Sequence, residues 1–164
     1  MIFGMTPGVF AHVVISLVAI LTGIVVVLGM LAAKRPNGWT AVFLWTTVAT
    51  SVSGFFLPAD RLLPSHVVGL LSLVILPIAL FALYRRQLAG AWRRTYVITA
   101  MIALYLNVFV LVVQLFLKVP ALKAAAPTQS EPPFVVAQSV VLLLFVVLGI
   151  AAAIRFRVEP LRTA

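Results

Sequence analysis

The sequence of 164 residues contains no cysteine, and only three of its residues, Asp60, Glu131 and Glu159, are acidic. The lack of cysteine excludes disulfides, thiolate metal sites, iron–sulfur clusters and cysteine nucleophiles. Neither paired carboxylates, a Ser/His/Asp arrangement nor an HExxH motif is present, which argues against a hydrolase. No carboxylate lies inside a hydrophobic run, although a proton-coupled transporter usually needs one. We therefore expect the chain to have no catalytic activity of its own.

Charged residues of both signs make up only 9% of the chain, whereas hydrophobic residues make up 64% and the mean hydropathy is +1.23. A soluble domain carries roughly 25% charged residues. This chain cannot cover itself with a soluble surface, so it is predicted to be an integral membrane protein surrounded by lipid. A bacterial inner membrane is the simplest location.

The hydrophobic residues fall into five runs that contain no charged residue. Each run is 19 to 25 residues long, and about 20 helical residues cross the hydrocarbon core of a bilayer. Strands of a β-barrel would alternate in shorter segments, so a barrel is excluded. The sequence predicts one all-α domain over residues 1–164, a bundle of five transmembrane helices at about 9–33, 39–57, 65–84, 96–117 and 134–154.

The lysines and arginines that give the net charge of +9 lie in the connections between these runs and in the C-terminal segment. Alternate connections carry nine lysines and arginines on one side and three on the other, and cytoplasmic loops collect such residues. We therefore expect the N-terminus outside, the C-terminus in the cytoplasm, and no binding of nucleic acid. The three outer cations are Arg61, Lys118 and Lys123; the nine inner ones are Lys34, Arg35, Arg85, Arg86, Arg93, Arg94, Arg155, Arg157 and Arg162.

The two histidines, His12 and His66, are predicted to lie at the same depth near the outer surface. Helices 1 and 3 both run inward, and Pro64 occupies a position typical of the first turn of a helix. His12 opens the segment HVVISLV and His66 opens HVVGLLSLV. This similarity suggests that helices 1–2 and 3–4 are parallel repeats, which would place the histidines opposite each other.

Polar side chains also cluster in the outer half of the bundle. Asn107, Gln114 and Lys118 follow the helical spacing of one face of helix 4, and Gln138 is expected at a similar depth on helix 5. Polar groups inside a membrane are functional candidates because they must pair or line a cavity. The alternative is that the amides only join neighbouring helices and that Lys118 extends to the surface.

Haem b is one cofactor that two histidines at one depth would suit. A b-type site uses two axial imidazoles from facing helices, so His12 and His66 are candidate ligands of the iron. The haem propionates would need cations at the outer surface, and Arg61, Lys118 and Lys123 are candidates.

Copper and a quinone are two further candidates. Thioether and imidazole ligands suit Cu(I), so Met1 and Met5 could join His12 and His66 as a copper site. A quinone would need only hydrogen-bonding groups at the mouth of a cavity. For that ligand we expect binding residues His12, His66, Gln114 and Gln138.

Three segments resemble a group of small, uncharacterised bacterial inner-membrane proteins: the outer loop APTQSEPPF, the helix LYLNVFVLVVQLFLK and the HVVG that opens helix 3. That resemblance brings no assigned activity. The helices that bear histidine also look similar to the b561-type membrane cytochromes, a family that usually holds two haems with two histidine pairs. This chain has one pair, so the resemblance implies a single haem near the outer face.

Two functions are therefore expected from the sequence. The first is a structural, accessory or assembly protein that packs with partner subunits, or with further copies of itself, in a larger membrane complex. The second is a redox membrane protein with one b-type haem or a quinone between His12 and His66.

Overall fold

A computed structural model describes residues 6–57 and 64–157, and those ranges contain helices and turns but no strand. A π-helical turn at Phe81–Arg85 continues the third helix beyond Leu80. Pro77 lies inside that helix, four residues before the π turn begins, and its missing N–H removes one helical hydrogen bond. The helices are α1 (Pro7–Leu31), α2 (Asn37–Gly54), α3 (Pro64–Leu80), α4 (Trp92–Lys118), α5 (Pro120–Ala125) and α6 (Pro132–Arg155).

Proline begins four of the six helices, at Pro7, Pro64, Pro120 and Pro132. The first N–H groups of a helix have no partner inside it, so a residue without an N–H costs nothing there. At α1 the hydroxyl of Thr6 also accepts a hydrogen bond from the Val9 amide at 3.4 Å. The predicted start of the third helix at Pro64 is confirmed.

The long helices pack antiparallel, which gives the bundle two distinct ends. At the basic end, the turns at 32–36 and 86–91 lie near residues 155–157; Arg93 of α4 contacts Phe156 there. At the opposite end, which we call the cavity end, α1 and α3 begin and α2 and α4 finish. The rings of Phe116 in α4 and Phe134 in α6 pack there at 5.3 Å between centroids.

Within the described ranges, four helical segments are long and apolar enough to cross a membrane: Pro7–Leu31, Ser65–Arg85, Trp92–Lys118 and Pro132–Arg155. These segments confirm the prediction of an all-helical protein with helices that could span a membrane. The second predicted span, α2, has only 18 residues, and several of them are threonine or serine, which lowers its hydropathy. Its whole length nevertheless packs beside α1, from the basic end to the cavity end.

The helices differ from the predicted ones most clearly in two places. The fourth helix begins at Trp92 rather than near residue 96, so Arg93 and Arg94 belong to its first turn. An arginine at a helix end can extend its charge to the interface, so a charge does not mark the start of the helix. The short helix α5 falls in the loop at 118–133, where the sequence predicted no helix.

The buried hydrophobic cluster fills the half of the bundle near the basic end. Its largest members include Met30, Phe43, Leu76, Tyr96 and Phe156, each at most 2% exposed. Helix α6 contributes little to it, since only Gln138 and Ala152 of that helix are buried. The half near the cavity end is packed less completely, which leaves room for a cavity between the helices.

Candidate functional site

The cavity has a volume of about 480 Å³ and lies between α1, α2, α3 and α4 at the cavity end. Ligand pockets of proteins fall between about 300 and 1,000 Å³, with mainly apolar walls and a few polar groups. This cavity matches that description. Its apolar lining includes Val9, Val13, Leu17, Ile20, Leu57, Val68, Val110, Leu111 and Leu115; its polar lining comprises His12, Ser16, Thr50, Ser51, Ser65, His66, Ser72, Asn107, Gln114 and Lys118.

His12 reaches the cavity from the second turn of α1 and is fixed against the last turn of α2. Its Nδ1 lies 2.8 Å from the Ser53 hydroxyl oxygen. Its Cε1 lies over Gly54, 3.5 Å from where a Cβ of that residue would stand. The ring is therefore held on one edge by a hydrogen bond and lies beside Gly54, where a Cβ would make only ordinary van der Waals contact with it.

His66 reaches the same cavity from the first turn of α3. Its ring packs at a tilt against Phe55, with 5.8 Å between the ring centroids. Both histidines therefore contact the C-terminal end of α2, through Ser53 and Gly54 on one side and Phe55 on the other. The helices α2 and α3 approach closely one turn further along, where a Cβ on Gly69 would lie 3.6 Å from the Ser51 carbonyl oxygen.

Helix α4 contributes Asn107, Leu111, Gln114 and Lys118, and all four residues of this face line the cavity. Asn107 also joins two helices, since its amide Nδ2 donates to the hydroxyl of buried Thr47 at 3.3 Å. Gln114 is half-buried, and its amide makes no hydrogen bond to another residue in the ranges 6–57 and 64–157. Lys118 is exposed at the rim. The polarity of the wall therefore increases from Asn107 in the bundle to Lys118 at the surface.

Gln138 does not line the cavity. Its amide Nε2 donates to the backbone carbonyl of Phe109 at 3.2 Å, on the side of α4 that faces α6. Its Oε1 is buried and has no hydrogen-bond partner in the described part of the chain. The depth predicted for Gln138 brings it near the level of Gln114, but the rotation of α6 directs it to a different helix interface.

Other residues of the predicted site are distributed differently. Lys123 lies on α5 and does not line the cavity, whereas Met1, Met5 and Arg61, proposed for copper and for haem propionates, lie outside the described residues. Within residues 6–57 and 64–157, no three His, Cys, Asp or Glu side chains come together as a metal site.

The sequence analysis did not identify Ser53 and Thr50 as site residues. Ser53 is the partner of His12, and its hydroxyl is also 3.2 Å from the Thr50 carbonyl oxygen. The hydroxyl oxygen of Thr50 is buried beside the cavity and lacks a hydrogen-bond partner in the described region. Ser16 differs, because its hydroxyl donates to the His12 carbonyl within α1 at 2.7 Å. The sequence signal for Thr50 is its helical spacing with Thr47 and Gly54, small residues that share one face of α2.

A loop of the cavity end folds back onto α4. The Nε2 of Gln129 donates to the Val113 carbonyl at 2.9 Å, with Gln129 in a left-handed backbone conformation at φ 60°. Next to it, the carboxylate of Glu131 accepts hydrogen bonds from the Thr128 amide and hydroxyl and from the Ser130 amide. This loop therefore has a defined fold close to the end of α4 that carries Gln114 and Lys118.

Comparison with known proteins gives no matching family model, no matching curated protein and no matching solved structure, so the site is interpreted from its own geometry.

Proposed function

We propose that this chain is a multi-pass membrane protein that binds a lipophilic ligand with a hydrogen-bonding head group, of the quinone class, in the cavity between α1 and α4. One observation carries the proposal: His12, His66 and Gln114, from three different helices, line one mainly apolar cavity of about 480 Å³. Separate roles as interfacial or joining residues would not require these side chains to share a cavity.

The chemistry of the lining suits a quinone. A quinone ring carries two carbonyl oxygens that accept hydrogen bonds, which Gln114 and Lys118 can donate, and the Nε2 atom of His12 can accept a hydrogen bond from a hydroxyl of the reduced quinol. The isoprenoid tail needs an apolar path, which the aliphatic side chains of α1 and α4 provide. The buried hydroxyl of Thr50 has no partner in the described region, and an unsatisfied buried hydroxyl is costly. A polar ligand atom or a water molecule beside it would remove that cost.

Haem b is the second candidate, and the contact between His12 and Ser53 favours it. Histidine ligands usually hold a hydrogen bond through the nitrogen that does not bind the metal. Nδ1 of His12 is engaged with Ser53, which leaves Nε2 as the ligating atom. His66 would supply the other axial ligand, and Lys118 at the rim would face a propionate. The likeness to b561-type cytochromes predicts the same single haem.

An accessory role within a larger complex is compatible with either ligand. Helix α6 supports this role, because only 6% of its most apolar 18-residue stretch is buried inside the protein, compared with 39% of the corresponding stretch of α1. This surface faces either lipid or the helix of another subunit. The chain lacks cysteine, so single-cysteine variants provide a specific test. Disulfide-linked dimers from Leu143→Cys in membranes, without dimers from exposed Tyr84→Cys, would support a second copy on α6.

In the membrane, we place all five long helices across the bilayer, with the N-terminus outside a bacterial inner membrane and the C-terminus in the cytoplasm. The antiparallel packing supports this arrangement, because α2 extends from the basic end to the cavity end beside α1. The basic end collects Lys34, Arg35, Arg85, Arg86, Arg93, Arg94, Arg155 and Arg157, as expected for a cytoplasmic face.

The orientation can be tested by labelling single cysteines in intact cells with an impermeant maleimide. Ser130→Cys at the cavity end should react from outside, whereas Gln87→Cys at the basic end should react only after the membrane is opened. The reverse pattern would contradict the proposed orientation. Labelling of both residues from the same side would contradict the antiparallel crossing itself.

The ligand can be tested by extracting detergent-purified protein with organic solvent and measuring quinone by mass spectrometry. We expect close to one quinone per chain in the wild type. Leu111→Trp, which fills the cavity, should lower the retained quinone at least tenfold. Leu143→Trp makes the same substitution on α6, where Leu143 is 65% exposed. This variant should retain as much quinone as the wild type.

An optical spectrum before and after dithionite separates the two cofactors. A reduced α-band that both His12→Ala and His66→Ala abolish would identify haem and overturn the quinone proposal. A spectrum without haem bands, together with equal and trace amounts of quinone in all variants, would reject both ligands.

A further inference from the structure

We propose that the basic end holds a binding site for an anionic glycerophospholipid between the start of α4 and the end of α6. An open groove of about 760 Å³ lies there, lined by Arg93, Arg94, Ile150, Ala153, Ile154 and Arg157. The groove is at the opposite end of the bundle from the cavity, so it is independent of the ligand proposed above.

The three arginines give the groove a concentrated positive charge. Arg94 and Arg157 are exposed, and no carboxylate pairs with either in the described part of the chain. Glu131, the acidic residue within residues 6–57 and 64–157, belongs to the loop at the cavity end. An unpaired guanidinium group can form two parallel hydrogen bonds to a phosphate, which a lysine cannot match.

Arg93 has a structural role that holds the groove in shape. Its Nη1 donates to the carbonyl of Phe156 and lies 3.4 Å from the carbonyl of Ala153. The carbonyl of Ala153 belongs to the last turn of α6 and that of Phe156 to the residue that caps it, where the helix leaves such carbonyls without partners. Arg93 therefore fastens the first turn of α4 to the end of α6 and fixes the spacing between Arg94 and Arg157.

An apolar strip leads away from the arginines along α6. Ile150 and Ile154 are one turn apart and are 58% and 66% exposed, and Val147 and Leu143 continue the strip toward the middle of the helix. A phospholipid has the same order of chemistry, with a phosphate at the interface and acyl chains extending into the hydrocarbon. The groove matches both parts in the correct order.

The charge of the groove selects an anionic lipid. The head group of a zwitterionic lipid carries a cation beside its phosphate, and three arginines would repel it. The glycerol head group of phosphatidylglycerol lacks that cation, and basic pockets between transmembrane helices are known to bind anionic lipids. Inorganic phosphate would satisfy the arginines but would leave the strip of Ile150 and Ile154 unused.

The test uses the whole protein in detergent, with phosphatidylglycerol and phosphatidylcholine of equal chain length as probes and native mass spectrometry as the readout. We expect the wild type to retain phosphatidylglycerol at least tenfold more than phosphatidylcholine. Arg94→Ala combined with Arg157→Ala should abolish that preference. Lys34→Ala combined with Arg85→Ala removes the same amount of charge from the same end but outside the groove. This double variant should keep the preference for phosphatidylglycerol.

Three results would overturn the proposal. The first is equal retention of both lipids by the wild type, which requires no variant to fold. The second is an equal loss in both double variants, which would indicate general attraction to a basic surface. The third is a thermal stabilisation by inorganic phosphate that matches the effect of phosphatidylglycerol, which would indicate an anion site without a lipid.

Discussion

The Nδ1 atom of His12 lies 2.8 Å from the hydroxyl oxygen of Ser53, across the interface between α1 and α2. A hydroxyl group carries one proton, and that of Ser53 also lies 3.2 Å from the Thr50 carbonyl oxygen. When Ser53 donates to that carbonyl, His12 must donate from Nδ1, and its Nε2 then carries a free lone pair. The contact therefore couples the packing of two helices to the tautomer of a residue that lines the cavity.

This coupling predicts that Ser53 affects ligand affinity without lining the site. Ser53→Ala removes the hydrogen bond that keeps the Nε2 lone pair of His12 available, and it should weaken binding of a decyl-substituted benzoquinol, whose hydroxyl donates to that atom, by about 5-fold, since one such bond contributes about 1 kcal/mol. The affinity can be measured by the shift in melting temperature with ligand concentration. Thr46→Ala, which removes a hydroxyl that bonds within α2 itself, is the matched control. Unchanged affinity in both Ser53→Ala and His12→Ala would contradict the role assigned to this pair.

Gly23 marks the tightest approach between helices in the buried core. A Cβ at this position would lie 2.5 Å from Cδ1 of Leu104 and 2.9 Å from Cε2 of Phe43, and both side chains are almost fully buried. Gly23→Ala should therefore lower the free energy of unfolding by about 1–3 kcal/mol, as overpacking of a dense core does. Thermal unfolding in detergent measures the change.

Gly8 provides the control for this prediction, because a Cβ there would meet no atom within 4 Å. Gly8→Ala should leave the melting temperature nearly unchanged. If both alanine variants unfold at the temperature of the wild type, α1 does not approach α2 and α4 as closely as described.

Ala33 ends α1 in a conformation that usually belongs to glycine. Its φ is 56°, the Lys34 amide donates to the Gly29 carbonyl at 2.8 Å, and the Ala33 amide donates to the Met30 carbonyl at 3.1 Å. This pair of bonds is the Schellman arrangement, in which the left-handed residue is most often glycine. The left-handed conformation costs alanine about 1–2 kcal/mol, whereas glycine adds about 0.5–1 kcal/mol of entropy cost.

Ala33→Gly should therefore stabilise the protein by about 0.5–1 kcal/mol. Its neighbour Ala32 has a φ of −85°, where alanine is not strained, so Ala32→Gly should lose stability instead. Opposite shifts of the two melting temperatures would support the assignment. Shifts of the same sign would show that the positive φ of Ala33 carries no cost.

The sequence predicted which residues share a level along the bundle better than it predicted the direction in which each helix turns its side chains. Hydropathy and the positions of charges predicted the four segments in the described ranges that are long and apolar enough to cross a membrane, because the thickness of a bilayer sets the length of an apolar helix. The same depth assignment placed His12, His66 and Gln114 near one level, and they line one cavity. Gln138 was expected with them, but α6 presents it to Phe109 of α4 instead.

Helices shorter than a membrane span, and structure that depends on a single side-chain contact, could not be predicted from the sequence. Helix α5 has only six residues, fewer than a hydropathy pattern can distinguish from a loop. The start of α4 was placed too late because charged residues were excluded from the helix. The bond between His12 and Ser53 depends on how two helices turn toward each other, and no periodicity in either helix encodes that pairing.

The loop at the cavity end contains a carboxylate whose protonation should control the local fold. Desolvation raises the pKa of Glu131, but hydrogen bonds from the Thr128 amide, the Thr128 hydroxyl and the Ser130 amide together outweigh it and hold the pKa below the ordinary glutamate value of 4.5. A depressed pKa in the folded state means that these bonds stabilise the loop at neutral pH. Their contribution is lost as the pH falls through the lowered pKa.

We therefore expect the carboxyl carbon of Glu131, observed by NMR in detergent, to titrate below 4.5, with the Thr128 and Ser130 amide signals moving in the same pH range. Thr128→Val removes the hydroxyl bond and keeps the backbone bond, so it should return the midpoint part of the way toward the ordinary value. Glu131→Gln should abolish the pH-dependent transition. At neutral pH, the loop of this variant should resemble the wild-type loop at acid pH. A wild-type midpoint at or above the ordinary value would mean that these hydrogen bonds do not stabilise the charged carboxylate in solution.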